Sequence, residues 1–267
     1  MQADIGIIGG SGFYSFLKAP ERVVVDTPFG APSAPLALGE VGGRRIAFLP
    51  RHGERHQYPP HRVNYRANLW ALRSVGVRQV LAPCAVGGLK PELAPGTFVV
   101  PDQVVDRTWG RAHTIWDAVG PVVHTSFADP YCPRGRAALL ATDEPAVDGG
   151  TLVVINGPRF STRAESRWHA AAGWSVVGMT GMPEASLARD LAMCFSTVCM
   201  VTDADAGVEG PGVSHAEVLE VFAGNIERLK AMLLTVIAAL PDPEPDATAS
   251  CACRRVLDGM TLPFALP

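Results

Sequence analysis

Lysine is nearly missing from this chain: 3 residues of 267, against 20 arginines. Together these 23 bases are outnumbered by 26 acids, giving a net charge of −3. That balance argues against a nucleic-acid partner, whose binding domains carry a basic excess. Charged residues of all kinds make up only 18%, below the usual quarter or so, so much of the surface is expected to be buried in a core or a subunit interface. No apolar run approaches the roughly 20 residues needed to cross a bilayer, and no internal repeat is present. Met1-Gln2-Ala3-Asp4 lacks the basic start of a secretory leader and runs directly into Ile5–Ile8, so a cytoplasmic protein without a membrane partner is expected. Cysteine is sparse too, with six residues at 84, 132, 194, 199, 251 and 253. They suit reduced thiols. Only Cys251 and Cys253 are close neighbours, a spacing that matches no zinc motif and has no second pair near it, so the pair reads as structurally incidental.

What is present is an alternation. Ile5–Ile8, Ile46–Leu49, Val80–Cys84, Phe98–Val100, Leu152–Ile155, Val176–Met179 and Phe195–Val201 read as buried strands. Val63–Val75, Pro133–Ala141, Met182–Ala192 and Ser214–Leu240 read as helices, the last with Ser214 and Glu217 spaced for a capping box. Strands and helices in turn predict one α/β domain with a parallel or mixed sheet, over residues 1–240. A Pro- and Asp-rich linker starts at 241, and the segment 241–267 ends in Leu262-Pro263-Phe264-Ala265-Leu266-Pro267. An apolar ending of this kind is expected to pack on its own body or on a neighbouring subunit.

Six segments at strand ends could carry chemistry. Gly9-Gly10-Ser11-Gly12 lacks the third glycine of a dinucleotide loop; it reads as a small-anion loop using Ser11, or as a plain tight turn. Arg51-His52-Gly53 puts a guanidinium fork where α/β folds bind ligands. His52 and His56 lie four apart, but Gly53 and Pro59-Pro60 disfavour a helix and no carboxylate accompanies them, so no metal is expected. Cys84-Ala85-Val86-Gly87-Gly88 leaves room for a ligand against the Ala85 backbone, with Cys84 packing and not acting as a nucleophile. In Gly157–Ser161, Phe160 could stack on a flat ring and Ser161 hydrogen-bond it. In Gly178–Glu184, Thr180 stands at a helix start that favours an anion, and Met179 could pack under a sugar. Thr202-Asp203-Ala204-Asp205 ends an apolar strand with two carboxylates, either acid–base candidates or a solvated loop.

Taken together, these segments resemble the trimeric nucleoside phosphorylases, the family of the 5'-methylthioadenosine and purine nucleoside phosphorylases. The likeness rests on Ile5–Gly12, Asp26–Gly30, Arg51–Gly53, Val63–Leu72, Gly157–Ser166, Met179–Glu184 and Thr202–Asp205. It implies a three-layer α/β/α fold with a central mixed sheet and a small distorted barrel, in a homotrimer or a dimer of trimers. It further implies phosphate held by Ser11, Arg51, His52, Ala85 and Thr180. Nucleoside would be held by Phe160, Met179, Asp203, Asp205, His215 and Val218, with His124 reaching in from the neighbouring subunit. Asp203 and Ser161 would serve the leaving base. The implied reaction is phosphorolysis of a purine nucleoside to base and ribose 1-phosphate, with phosphate as co-substrate and no cofactor.

Within that resemblance the two ends of the substrate point differently. The 6-oxopurine enzymes carry Glu and Asn where this chain has Ser161 and Asp203; Asp accepts from an exocyclic amine, so a 6-aminopurine is expected. At the 5' end His215 resembles the 6-oxopurine enzymes, whereas the methylthio branch has an apolar residue. Gly181 also departs from the Thr of animal methylthio enzymes. 5'-Methylthioadenosine is the expected substrate; the alternatives are adenosine or inosine, another 5'-modified adenosine, or a nucleoside-binding protein without turnover.

Overall fold

The computed structural model describes residues 2–10, 17, 19–206, 215–241 and 251–267, without the side chains of His215 and Glu217. The expected Ser214–Glu217 capping box therefore lies outside the described residues, as does Ser11. In chain order the elements are β1 (Ile5–Gly9), β2 (Glu21–Val23), β3 (Leu36–Val41), β4 (Arg44–Pro50), α1 (Tyr65–Ser74), β5 (Gln79–Leu81), β6 (Cys84–Gly88), β7 (Phe98–Val100), β8 (Gln103–Arg107), α2 (Pro133–Leu140), β9 (Ala146–Asp148), β10 (Thr151–Ile155), α3 (Arg163–Ala171), β11 (Val176–Gly178), α4 (Gly181–Asp190), β12 (Cys194–Ser196), β13 (Cys199–Ala204) and α5 (His215–Ala239). Among the described residues no helix is long and apolar enough to cross a membrane.

The strands form two mixed sheets, β12-β5-β1-β4-β3-β2 and β8-β10-β11-β6-β13-β7-β9. One of the two curls into a half-barrel. Side-chain alternation explains the layering. Ile5, Ile7, Ile46, Phe48, Leu81 and Met200 enter one core with Leu139 of α2 and Leu229, Leu233 and Ile237 of α5. Their strand neighbours Ile8, Ala47, Leu49, Val80 and Val201 enter the other, with Leu69 and Leu72 of α1 and Leu187 of α4. Successive side chains on a strand face opposite ways, so both faces of the sheets are covered by helices, and the strands read as unbroken apolar runs. This is the expected α/β/α architecture.

Two elements differ from the expectation in the same way. Val80–Cys84 and Phe195–Val201 each read as one strand, but each is two. β5 and β12 belong to the six-stranded sheet, and β6 and β13 to the seven-stranded one. The chains bend side by side: Ala82 N–H donates to the Ser196 carbonyl at 2.9 Å and Cys84 N–H to the Val198 carbonyl at 3.1 Å. Pro83, which has no N–H to donate, sits in the bend. Pairing thus continues across the seam while the sheet changes direction, and an apolar pattern carries no trace of that turn. The short strands β2, β8 and β9 and helix α3 also escape a pattern of buried runs, being half-exposed. For α3 a signal existed: Thr162 and Glu165 form a full capping box.

A third difference concerns the cysteines. Cys251 and Cys253 are not isolated in space. Cys132, just before α2, and Cys194, which opens β12, lie against them in a buried cluster of four. Spacing along the chain could not show this, because the partners come from two distant elements.

Candidate active site

The carboxyl ends of β1, β4, β10, β11 and β13 and the body of β6, from Cys84 to Gly87, meet at one cavity of about 260 Å³. Its lining includes Arg51, His52, Ala85, Phe160, Ser161, Met179, Thr180, Asp203, Asp205 and Val218. Ten of the thirteen residues expected from the sequence are therefore together. Ser11 lies outside the described residues, although Gly10 before it lines the cavity. His215 opens α5, but its side chain is not described. His124 is exposed and is not part of the cavity of its own chain.

Arg51 and His52 follow β4. The Arg51 side chain is 2% exposed, and its Nε and Nη2 donate to Glu184 Oε1 and Oε2 at 2.5 and 3.1 Å. Nη2 also donates to the Ile8 carbonyl and Nη1 to that of Pro83, each at 3.3 Å. Four of the five guanidinium N–H groups are accounted for, and Nη1 keeps one beside Gly10, the position where an anion would meet the loop after β1. Burial works against the arginine's charge, but the Glu184 carboxylate more than offsets it and holds the Arg51 pKa above its ordinary value. His52 Nδ1 lies 2.8 Å from the Tyr58 carbonyl. A carbonyl only accepts, so Nδ1 carries the proton and Nε2 is left as an acceptor in the neutral ring. Burial, then the Arg51 charge, lowers the His52 pKa to about 4, against the Tyr58 hydrogen bond. A neutral ring thus stands beside the one charged donor.

Thr180 precedes α4 and makes no capping bond with its hydroxyl. Met179 follows β11, and Gly157 lets the chain pass it: Gly157 has φ +62°, and a Cβ there would lie 2.6 Å from Met179 Sδ. Also in the lining, Ser161 Oγ is buried without a hydrogen-bond partner, a costly state for a hydroxyl unless a ligand completes it. Asp203 and Asp205 follow a register shift in β13, between Val201 and Asp203. Such a bulge re-aims side chains. The Thr202 hydroxyl lies 2.8 Å from Asp203 Oδ1, and Ser166 Oγ donates to Asp205 Oδ2. Gly87 opposes Asp203 across the ladder, and a Cβ there would sit 3.1 Å from Asp203 Oδ2. Val218, Leu219 and Phe222 of α5 form an apolar wall.

The cavity therefore combines anion-suited donors, carboxylate acceptors and an apolar lining from α5. Comparison with known proteins identifies the group that shares it. Residues 4–238 match the sequence model of the Phosphorylase superfamily. The purine nucleoside phosphorylase of Streptomyces coelicolor is 61% identical, over 100% of this chain and 99% of its own. The S-methyl-5'-thioadenosine phosphorylase of Mycolicibacterium smegmatis is 54% identical, over 98% and 99%. A crystal structure of methylthioadenosine phosphorylase from an antarctic soil metagenomic library superposes with a TM-score of 0.87 at 36% identity, covering 97% of this chain and 92% of that one. The chain belongs to the phosphorylase superfamily. It is a pentosyltransferase of the nucleoside phosphorylase kind.

Three residues of this phosphorylase were not singled out by sequence. Glu184 fixes the guanidinium of Arg51. Ser166 occupies one oxygen of Asp205. Arg111, buried, donates to the carbonyls of Asn156, Met179 and Met182, tying together the segments after β10 and β11 that supply the cavity wall. The one sequence signal was Glu184 itself, a carboxylate in the first turn of a helix that opens Gly-Met-Pro.

Proposed function

We propose that this phosphorylase cleaves the N-glycosidic bond of a 6-aminopurine nucleoside with inorganic phosphate, and that 5'-methylthioadenosine is its preferred substrate. Adenine and 5-methylthioribose 1-phosphate are the products. The observation that carries this is the set of groups gathered in one cavity. Arg51, His52 and Thr180 line it together with the unpartnered Ser161 hydroxyl and the Asp203 and Asp205 carboxylates. The apolar side chains Val218, Leu219 and Phe222 line it too and suit a thioether better than a hydroxyl. An S-methyl-5'-thioadenosine phosphorylase at 54% identity and a Schistosoma mansoni methylthioadenosine phosphorylase in complex with adenine, at 39% identity and TM-score 0.84, support the same substrate class.

Phosphate is the nucleophile. Its oxygen forms the bond to the anomeric carbon as the bond from that carbon to purine N9 breaks, and the electron pair leaves with the base. The ribosyl group develops positive charge, which phosphate beneath it stabilises. The Arg51 Nη1 and Thr180 hydroxyl donate to phosphate, and neutral His52 accepts at Nε2 from a protonated phosphate oxygen or a ribose hydroxyl. Ser161 and Asp203 hold the purine edge. In its protonated form Asp203 accepts from the exocyclic amine at one oxygen and gives the proton on the other to N7, becoming a carboxylate as the base departs neutral. Met179 lies along the sugar and Phe160 stacks on the base. Holding both reactants in one geometry supplies much of the rate. No cofactor or metal takes part in these steps.

The reading includes a homotrimer, in which His124 of one subunit approaches the 5' end of its neighbour's substrate. Exposed Trp109, Val119 and Val122, in the same long connection as His124, support an interface there. It also includes a cytoplasmic role in purine salvage. A second reading, a purine nucleoside phosphorylase for adenosine or inosine, is favoured by the 61% identical Streptomyces coelicolor relative. The experiment is kcat/KM with phosphate for 5'-methylthioadenosine, adenosine and inosine side by side. Methylthioadenosine should lead; a preference for inosine would overturn the substrate. Cleavage at full rate without phosphate, giving free sugar, would overturn the reaction.

A further inference from the structure

On the far side of the molecule's chemistry lies the four-cysteine cluster. Cys132, Cys194, Cys251 and Cys253 come from three separate parts of the chain, and each is at least nine-tenths buried. Their four sulfur atoms all lie within 4.8 Å of one another. Cys132 and Cys251 are 3.7 Å apart. All six cysteines are free thiols, with no pair at bonding distance. Four sulfurs held about 2.3 Å from one tetrahedral centre stand about 3.8 Å from each other, so the observed separations are those of a ligand cage. Thiolate quartets select zinc or iron, and a closed set of four protein ligands is the form that structural zinc takes.

We propose that these four cysteines bind one zinc ion as a closed tetrathiolate that fastens the C-terminal segment, 251–267, to the body. The surroundings fit a negatively charged centre. Four thiolates around a dication carry a net charge of about −2. Arg134 and Arg254 line the same small cavity as Cys194 and Cys251, and Arg78 lies close enough to interact with both Cys194 and Arg254. The Nε of Arg254 is buried without a hydrogen-bond partner.

The consequence reaches the body through the tail. Beyond the cage, Phe264 packs with its ring centroid 5.9 Å from that of Trp70 and 4.9 Å from that of Trp116. Trp70 is on α1, which packs against α4, the helix that carries Glu184. The zinc would thus pin a segment whose apolar end braces the helix layer next to the site.

The test uses full-length protein purified without metal-affinity resin or chelator. Zinc by mass spectrometry of the elements, and thiols titrated after denaturation with chelator and no reductant, are measured together. About one zinc per chain with all six thiols reactive is expected. A chain with no zinc and six thiols overturns the proposal, as do one or two disulfides without zinc, or iron in place of zinc. Because these readouts use wild-type protein, they do not depend on a variant folding. Cys253→Ser, assayed in parallel, should lose at least tenfold in zinc affinity measured against a competing chelator. Undiminished affinity would overturn the assignment of Cys253 as a ligand.

Discussion

His52 should make the stability of this protein depend on pH in a window where few other groups change. Its ring is 8% exposed, its Nδ1–H is committed to Tyr58, and burial together with Arg51 lowers its pKa to about 4 from 6.5. A group whose folded pKa lies below its unfolded one binds its proton more readily when unfolded. Its neutral form is accommodated fully above pH 6.5, and stability is lost as pH falls toward 4. Comparing proton binding at the two values, the loss is about 2 kcal/mol at pH 5 and about 3 kcal/mol at pH 4. His52→Gln removes that term. It also gives up part of the Tyr58 hydrogen bond, about 1 kcal/mol at every pH. Wild type should therefore be the more stable at pH 7.5 and the less stable at pH 5, the curves crossing between about pH 5 and 6. At about 2–4 °C per kcal/mol for a chain of this size, the difference in Tm should swing by about 4–8 °C over that range. The assay is thermal unfolding at fixed protein concentration in buffer free of phosphate, because a ligand of the folded state would shift the curve. The His56 ring lies tilted against that of His52, with centroids 4.6 Å apart, so His56→Gln is the control and should leave most of the swing in place. A Tm difference between wild type and His52→Gln that stays constant from pH 7.5 to 5 would refute the reasoning.

Three other outcomes follow from the site. Glu184→Ala leaves the buried Arg51 charge without its carboxylate, which costs about 3–5 kcal/mol of stability, and should raise KM for phosphate far more than KM for nucleoside; Glu184→Gln, which keeps an acceptor, should recover part of both, and equal changes in the two KM values would count against a positioning role. Asp203→Asn should lower kcat/KM for adenine nucleosides by about 100-fold or more while sparing inosine, since an amide donates to O6 but transfers no proton to N7; an unchanged adenosine-to-inosine ratio would remove Asp203 as the base reader. Val218→Asn should reduce the ratio of methylthioadenosine to adenosine efficiency by roughly tenfold, the scale of one apolar contact exchanged for a polar one, and no change in that ratio would show that α5 does not meet the 5' substituent.

Much of the fold was legible because its signals are local. β1 is a run of five buried residues, IGIIG, and only a strand covered on both faces reads that way. α5 buries Leu229, Leu233, Val236 and Ile237 at helical spacing. The site was legible for a related reason. The loops after β1, β4, β10, β11 and β13 meet the body of β6, so six unremarkable segments become one cavity once the strands are placed in order. Where the pattern failed, the cause was tertiary. Two apolar runs, Val80–Cys84 and Phe195–Val201, each feed both sheets, and the turn between them costs no hydrogen bond because the two chains bend together.

Glu184 and the cysteine cluster mark the same limit from two directions. A carboxylate in the first turn of a helix is ordinarily explained by the helix dipole alone, and nothing beside it in the sequence names Arg51, 133 residues away, as its partner. Yet burying Glu184 without a cation would be prohibitive, so once the structure shows it buried a base must come to it. The cysteines carry no such implication. A thiol is at home in an apolar core unpaired, so Cys132 before one helix and Cys194 at the start of one strand are satisfied as packing residues, and Cys251 with Cys253 is too short a spacing to announce a site. Charge that must be neutralised leaves a demand once it is buried; sulfur leaves none, and its function becomes visible only when four of them meet.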